Sequence, residues 1–314
     1  MSLLCVTTSP KYDIPARMST SKVLVIVGPT PSGKTSLSIE LAKKFNGEVI
    51  SADSRQVYRG LDIGTGKVTP SEMSGVPHHL LDVTDPEDTY TVADYVRDGC
   101  IAIDSILSRG KLPIIVGGTF FYIDALLGAV STPEVPPNVE LREGLEKYSN
   151  EELFEILKEK DSERAETIDP SNQRRLIRAI EIASALGAVP KTHPIELYKA
   201  LTLGIHIEKE DLLKNIHTRL VERIDARMIE EVISLHKNGL SYERMTELGI
   251  EYQYISEYLQ NKITKDEMRS LIETKSWQYA KRQMTWLKRN QEIQWVKKDE
   301  FEKIARIVNE FLIN

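Results

Sequence analysis

A run of eight residues near the start of the chain combines the residue types and the spacing that hold phosphate groups. Its members Gly28, Gly33, Lys34 and Thr35 satisfy the pattern G-x-x-x-x-G-K-[ST]. Glycines let the backbone approach a phosphate closely, the N–H groups of residues 32–35 are expected to point into the concavity, and Lys34 adds positive charge. The Thr35 hydroxyl suits Mg²⁺. We predict a phosphate site formed by Gly28, Pro29, Thr30, Pro31, Ser32, Gly33, Lys34 and Thr35.

This loop by itself does not identify the phosphate compound that it holds. Pro29 and Pro31 have no backbone N–H, so donors can come only from the second half of the loop. An ordinary ATPase or GTPase would add a buried strand that ends in a magnesium-supporting aspartate. The apolar strand at 111–118 is followed instead by Thr119. The sequence therefore favours a different use of the phosphate site.

Asp53 is the carboxylate that the sequence offers in place of that aspartate. It ends a predicted strand at 48–53, and ligands of open α/β sheets bind beyond the carboxyl ends of the strands. A helix N-cap is the structural alternative for Asp53, and Ser54 would serve equally well. Near an amino group and a diphosphate, a carboxylate suits a general base for group transfer onto that amine. The neighbouring side chains able to bind a base or a phosphate are Asp53, Ser54, Arg55, Gln56, Tyr58 and Lys67.

The elements that must position these residues alternate between strand and helix. This order predicts an α/β fold with a P-loop NTPase-like, mainly parallel sheet flanked by helices. A proline-rich segment at 131–138 precedes helical patterns, which predict a helical insertion at 131–168 and a helical C-terminal part. We expect the core at 21–130 and 169–314 and a loose tail at 1–20, where Met18 indicates an upstream-extended start. The predicted strands are 23–28, 48–53, 111–118 and 201–207, with 78–83 as a weaker candidate, and the clearest helices are 35–45 and 92–110.

Composition excludes several classes of protein. No apolar run approaches the roughly 18 residues of a membrane helix. Cys5 and Cys100 are too few for a disulfide framework or a zinc cluster, so we expect a cytoplasmic protein with free thiols. Separately, we expect a monomer. The net charge of −6 argues mildly against nucleic acid as a partner. The local distribution of charge must decide that point.

The chain between residues 275 and 298 is locally basic. It carries seven basic residues and one acidic residue, Glu292, with aromatic side chains between them. A solvated helix face is the structural alternative, but the pattern favours an RNA-backbone surface. The basic residues are Lys275, Lys281, Arg282, Lys288, Arg289, Lys297 and Lys298.

Three other features are interpreted as non-functional. Residues 64–68 resemble part of a second phosphate loop, and residues 261–264 resemble part of a guanine-binding motif, but both matches are incomplete. His78 and His79 are adjacent, and neighbouring strand residues point to opposite faces, so they are not expected to share a metal. We expect a structural role for both.

Seven ordered motifs nevertheless make the chain resemble a known family, the tRNA dimethylallyltransferases (tRNA isopentenylpyrophosphate transferases). The resemblance covers about residues 22–290. It implies transfer of a dimethylallyl group from dimethylallyl diphosphate to N6 of adenosine 37, next to the tRNA anticodon. The motifs are GPTPSGKT, SADSRQVYRGLDIGTGK, VPHHLLDV, YTVADYV, IIVGGTFFY, IDPSNQRRLIRAIEI and YAKRQMTWLKR.

The resemblance also implies roles for individual residues. The loop 28–35 would hold the diphosphate with Mg²⁺, Asp53 would be the base, and Thr119 would lie near the reacting amine. Lys34 and Arg223 would complete the catalytic set at the diphosphate. The implied tRNA contacts are Asp53, Ser54, Arg55, Gln56, Thr119, Arg142, Arg174, Arg175, Leu176, Ile177, Arg178, Lys281 and Arg282.

The chain departs from the family pattern at a few positions. Pro31 replaces a common alanine, Arg227 stands where glycine is commoner, and Phe120 and Phe121 replace Gly-Leu. The two phenylalanines are expected to narrow the substrate channel. Three alternatives remain at this point: an adenylate isopentenyltransferase acting on free AMP, ADP or ATP, a small-molecule kinase of the phosphate-loop class, and a non-catalytic RNA-binding protein.

Overall fold

The computed structural model describes residues 21–130, 133, 135–191 and 195–314. The expected tail at 1–20 lies outside these residues. The described residues form two compact units, a core unit made of 21–128 and 195–314 and an inserted unit within 129–194. The strands are β1 (Lys22–Val27), β2 (Gly47–Ala52), β3 (His78–His79), β4 (Leu112–Gly117), β5 (Lys199–Ile205) and β6 (Gln294–Val296). The helices are α1 (Lys34–Lys44), α2 (Pro70–Met73), α3 (Val92–Ser108), α4 (Phe120–Leu126), α5 (Val139–Leu145), α6 (Asn150–Lys160), α7 (Ser162–Thr167), α8 (Gln173–Leu186), α9 (Lys209–Asp225), α10 (Met228–Lys237), α11 (Tyr242–Leu248), α12 (Ile250–Leu259), α13 (Lys265–Leu287) and α14 (Phe301–Ile313).

The core unit is built on one parallel sheet. Its strand order is β3-β2-β4-β1-β5-β6, and every neighbouring pair is parallel. The predicted α/β class and parallel sheet are thereby confirmed. Strand β1 lies in the middle, so the loop that follows it emerges among the carboxyl ends of β2, β4 and β5.

Both faces of the sheet are covered by helices. Val23 and Val25 of β1 pack into one apolar cluster with α3 and α4, whereas Leu24 and Ile26 pack into another with α1 and α14. This alternation explains why β1 consists almost entirely of apolar residues, since strands buried on both faces have no polar side.

The remaining core helices form a helical layer beside the site. Helices α10 to α13 bury Met228, Val232, Met245 and Ile255 together with Val57, which follows β2. This packing attaches the chain beyond β2 to the C-terminal helices and brings α9 and α13 to the carboxyl edge of the sheet.

The structure differs from expectation at the sheet's edges. Strand β6 was not predicted, because only the three residues Gln294–Val296 pair with β5 and they lie in a segment interpreted as helical. The candidate strand at 78–83 shrinks to His78 and His79. His79 Nε2 lies 2.7 Å from the Glu48 carboxylate, which is also bound by Arg109 and Lys111.

The inserted unit is entirely helical in its described part. Helices α5 to α8 enclose a cluster that includes Leu153, Leu157, Leu176 and Ile180. Helix α8 therefore belongs to this unit, which extends beyond the expected boundary at residue 168. Among the described helices of the whole chain, none has both the length and the hydrophobicity needed to cross a membrane.

Candidate active site

The phosphate-type loop occupies the turn between β1 and α1. Gly33 precedes α1 with a φ of +89°, a left-handed conformation that glycine adopts without strain. A Cβ atom on Gly28 would lie 2.7 Å from Ser32 Oγ, so the loop also needs glycine at its first position. Gly33 is thus required by the backbone path, and Gly28 by the position of the Ser32 side chain.

Lys34 folds back over this loop. Its ammonium donates to the carbonyl oxygens of Gly28 at 2.9 Å and Pro29 at 3.0 Å. Burial, followed by the positive charge of Arg219, lowers the pKa of Lys34 to about 7. An anion bound beside Lys34 would favour its protonated form.

The first half of the loop is held from outside. The Thr30 N–H donates to Gln283 Oε1 at 3.0 Å, and the Pro31 carbonyl accepts from Asn215 Nδ2 at 3.3 Å. Pro29 and Pro31 have no N–H, so residues 29–31 offer no free backbone donor. The phosphate-facing amides must be those of residues 32–35.

The turn after β2 carries Asp53 and is tied to the end of β4. Asp53 Oδ1 accepts from the N–H groups of Arg55 at 2.9 Å and Gln56 at 3.4 Å. The Ser54 N–H donates to Thr119 Oγ1 at 3.0 Å. Within the described residues Asp53 Oδ2 has no hydrogen-bond partner, so capping by one oxygen leaves the other available for chemistry.

Two cavities of the core unit meet at Asp53. The first, of about 550 Å³, lies along residues 30–36 and is called the loop cavity. The second, of about 320 Å³, lies among α9, α11, α12 and α13 and is called the helix cavity. Both are lined by Thr30, Pro31, Asp53, Thr65 and Arg219.

Arg219 is a site residue that the sequence analysis missed. Its guanidinium donates to the Gly66 carbonyl at 3.2 Å, and burial together with the charge of Arg223 lowers its pKa to about 10. Arg223 lines only the helix cavity, where it donates to the Gly64 carbonyl and to Glu251. Of the two arginines, Arg219 borders the phosphate-type loop because it lines both cavities; the role at the diphosphate that the family resemblance implies for Arg223 stays a prediction. Their four-residue spacing on one helix face was the available signal.

The glycine turn at 64–66 is part of this site, although the sequence analysis set it aside. A Cβ atom on Gly66 would lie 2.0 Å from the guanidinium nitrogens of both Arg219 and Arg223. Glu231 fixes the turn by accepting from the Ile63 and Gly64 N–H groups at 2.7 and 3.0 Å. The turn is not a phosphate loop, but it supplies the carbonyls that hold the two arginines.

Lys67 and Tyr58, which were considered for base or phosphate contact, have structural roles instead. Lys67 donates to the Tyr58 carbonyl and to the carboxylates of Asp62 and Asp82, and Tyr58 is buried. Gln56 lines the loop cavity, and its amide donates to the Gly66 carbonyl at 3.3 Å.

The phenylalanines that were expected to narrow the channel line neither cavity. Phe120 is buried in the core beneath the sheet's carboxyl edge, and Phe121 is exposed on α4. Arg227 has a φ of +74°, a left-handed conformation that glycine adopts most readily.

Helix α13 contributes both an aromatic wall and positive charge. Tyr279 and Arg282 line the helix cavity, and the guanidinium of Arg282 lies 5.9 Å from the Tyr279 ring centre. Lys281 is exposed beside them. None of the seven basic residues at 275–298 forms an ion pair within the part of the chain that the structure describes.

The tRNA contacts implied for the inserted unit divide into three groups. Arg174 and Arg175 are exposed on α8. Leu176 and Ile177 are 0% and 7% exposed, so they are core residues and cannot form a contact surface. Arg142 and Arg178 are bound to the buried Glu181 carboxylate. The apolar spacing of 176, 177 and 180 was a signal for burial that the family resemblance obscured.

A metal would have few protein ligands here. The described residues contain no cluster of three or more His, Cys, Asp or Glu side chains placed to hold an ion. The Thr35 side chain is exposed at the loop cavity and has no hydrogen-bond partner within the described residues. This donor set fits Mg²⁺, which is commonly held by one or two protein groups together with substrate phosphates and water.

Comparison with known proteins gives a consistent result. A family model described as IPP transferase matches residues 56–290. A tRNA dimethylallyltransferase of Anoxybacillus flavithermus is 40% identical over 296 residues, which cover 93% of this chain and 95% of that protein. One from Exiguobacterium sp. is 43% identical over 286 residues, covering 89% and 91%.

Solved structures agree with these relatives. The full-length tRNA isopentenylpyrophosphate transferase of Bacillus halodurans is 34% identical, with a TM-score of 0.72 over 93% of this chain and 97% of that one. A eukaryotic dimethylallyltransferase captured acting on tRNA is 27% identical, with a TM-score of 0.78 over 94% and 80%. These similarities confirm the resemblance carried by the seven motifs, and the chain belongs to the IPP transferase family.

Proposed function

We propose that this protein transfers a dimethylallyl group from dimethylallyl diphosphate to N6 of adenosine 37 in the anticodon stem-loop of tRNA, releasing diphosphate. The observation that carries the proposal is the position of Asp53, whose side chain lies where the loop cavity and the helix cavity meet. A diphosphate in one cavity and an extruded base in the other would bring the reacting atoms together at this carboxylate.

The chemistry breaks one bond and forms another. The bond between the allylic carbon C1 and the diphosphate oxygen breaks, and its electron pair leaves with the diphosphate. The N6 lone pair forms the new bond to C1, and the N6 proton passes to the Asp53 carboxylate. The developing negative charge on the leaving group is stabilised by the amides of residues 32–35, Lys34 and Arg219.

Arg223 and Thr119 hold the turns that position these groups. Arg223, bound to Gly64 and Glu251, holds the glycine turn against which Arg219 rests. Thr119 accepts from the Ser54 N–H and so keeps the Asp53 turn at the end of β4, next to the reacting amine.

Mg²⁺ fits this site as a cofactor. Thr35 would hold it together with diphosphate oxygens and water. When bound, the ion supplies positive charge that neutralises the diphosphate. Lys34, whose pKa is lowered to about 7, would regain its full charge in the same complex.

Recognition of tRNA would draw on both units. Ser54, Arg55 and Gln56 offer edge contacts to the extruded adenine, and loop bases are less costly to extrude than paired ones. Arg174 and Arg175 of the inserted unit and Lys281 and Arg282 of α13 would contact the RNA backbone. The enzyme would act as a monomer in the cytoplasm.

The test is a transfer assay with labelled dimethylallyl diphosphate. Unmodified tRNA carrying A36-A37-A38 and free AMP are supplied in parallel reactions. The proposal expects label in tRNA and little in AMP. Label in AMP alone would instead identify an adenylate isopentenyltransferase, and retention of tRNA without diphosphate release would identify a binding protein.

A further inference from the structure

Gln283 of α13 is a buried polar residue that touches two parts of the site at once. It is 4% exposed, and its side-chain oxygen accepts from the Thr30 N–H at 3.0 Å. Its side-chain nitrogen donates to the Gly118 carbonyl at 2.9 Å. These partners are 253 and 165 residues away in sequence, so the bonds are formed only by the tertiary fold.

The Gln283 amide packs directly against the backbone of Gly118. A Cβ atom on Gly118 would lie 2.3 Å from the Gln283 side-chain nitrogen, so the glycine is required for this contact. Gly118 directly precedes Thr119, whose hydroxyl accepts from the Ser54 N–H. One side chain therefore connects the phosphate loop to the turn that carries Asp53.

We propose that Gln283 is a positioning residue that sets the separation between the diphosphate cradle and the Asp53 turn. This inference rests on the proposed function. Allylic transfer requires the amine activated by Asp53 to approach C1 of the dimethylallyl group in line with the bond to the leaving diphosphate oxygen. Misplacement by about 1 Å costs roughly a hundredfold in rate. Gln283 touches neither reacting group and acts through Thr30 and Gly118.

This positioning role predicts that loss of Gln283 lowers the rate of transfer and leaves the affinity for pyrophosphate nearly unchanged. The amides that face the diphosphate belong to residues 32–35, and Gln283 holds Thr30 outside that set. Loss of Gln283 should therefore lower kcat by about 10- to 100-fold. The affinity for inorganic pyrophosphate, measured by calorimetry, should change by less than about threefold because the cradle itself remains.

Two variants and one control test the proposal. Gln283→Met keeps the length of the side chain and removes both hydrogen bonds. Gln283→Glu keeps the acceptor for Thr30, but only a protonated carboxyl can donate to Gly118. Gln278→Glu is the control, since Gln278 is exposed on the same helix and its side chain has no hydrogen-bond partner within the described residues. Melting temperatures establish that each protein is folded.

The expected signature is a rescue by acid that only Gln283→Glu shows. Its kcat relative to the wild type should rise at least about fivefold between pH 8 and pH 6, because burial at this position raises the pKa of the introduced carboxyl, which then protonates over this range. Dividing by the wild-type value removes the pH effects that the two proteins share. The Gln278→Glu ratio should stay flat.

Three results would overturn the inference. They are a wild-type kcat in Gln283→Met, a Gln283→Glu ratio that does not change with pH, or equal losses of kcat and pyrophosphate affinity. Absence of transfer by the wild type would be a different failure, because it would remove the proposed function together with this inference.

Discussion

Each unit contains a pair of buried or partly buried arginines, and the two pairs differ in the groups that accept their hydrogen bonds. In the inserted unit, Arg142 and Arg178 share the Glu181 carboxylate, whose side chain is 1% exposed. In the core unit, Arg219 and Arg223 rest on the neutral carbonyls of Gly66 and Gly64, with Glu251 bound to Arg223 alone. Both arginines of the first pair bind a carboxylate, whereas in the second pair only Arg223 does, and Arg219 binds a neutral carbonyl.

The pKa values follow this difference. Hydrogen bonding to Glu181 raises the pKa of Arg142. Burial and the charge of Arg223 lower the pKa of Arg219 to about 10. A protein accepts such a like-charge cluster where an anion completes it, so the comparison separates arginines that support the fold from those that await a substrate.

The largest effect should come from the core pair. Arg219→Met removes charge at the departing diphosphate and should lower kcat by about 10²- to 10³-fold. Stability should change little, since the substitution relieves repulsion with Lys34 and Arg223. Single-turnover transfer and thermal melting measure the two quantities. Arg306→Met is the control, because Arg306 is exposed on α14 and its side chain has no hydrogen-bond or ion-pair partner within the described residues.

In the inserted unit, a substitution at the arginine pair should lower local stability. Glu181→Gln leaves Arg142 and Arg178 without their carboxylate and should cost about 2–3 kcal/mol of local stability, with both arginines partly able to reach water. Hydrogen exchange of the α8 amides in the full-length protein measures this loss. Unchanged protection in α8 would contradict a supporting role for the pair.

Acid should reproduce that loss in the wild type. Burial alone would raise the pKa of Glu181, but hydrogen bonds from Arg142, the Asn138 N–H and Arg178 outweigh it and lower the pKa to about 2. A lowered folded-state pKa contributes stability that is present above about pH 4.5 and is lost as the pH falls toward 2. Exchange in α8 should therefore quicken over this window in the wild type more than in Glu181→Gln.

The smallest effect should come from the exposed arginines of α8. The double substitution of Arg174 and Arg175 by alanine should weaken tRNA binding severalfold and reduce the slope of log affinity against log salt by about 2. Transfer at saturating tRNA should be unchanged. Lys147 and Lys160 are exposed in the same unit without side-chain partners there, and their double alanine variant is the control. Equal slopes in the two variants would place the RNA elsewhere.

The site divides into parts that sequence predicts and parts that it does not. The phosphate loop and Asp53 were predictable because strand, loop and helix follow one another locally, and strand ends meet at one edge of a parallel sheet. The spacing of Arg219 and Arg223 could place both on one face of α9, but the position of that face in the site, like that of Gln283, depends on how α9 and α13 pack against loops far away in the chain. Strand β6 is only three residues long, too short for a periodic pattern.

The central claim is that Asp53 acts as a base where the two cavities meet. Asp53→Asn tests it most directly, because an amide oxygen can still accept from the Arg55 and Gln56 N–H groups while the base is lost. Single-turnover transfer to tRNA should fall at least 100-fold, within the usual range for general bases, with the Kd for tRNA unchanged within about twofold. An unchanged rate, or equal losses of rate and binding, would contradict the account.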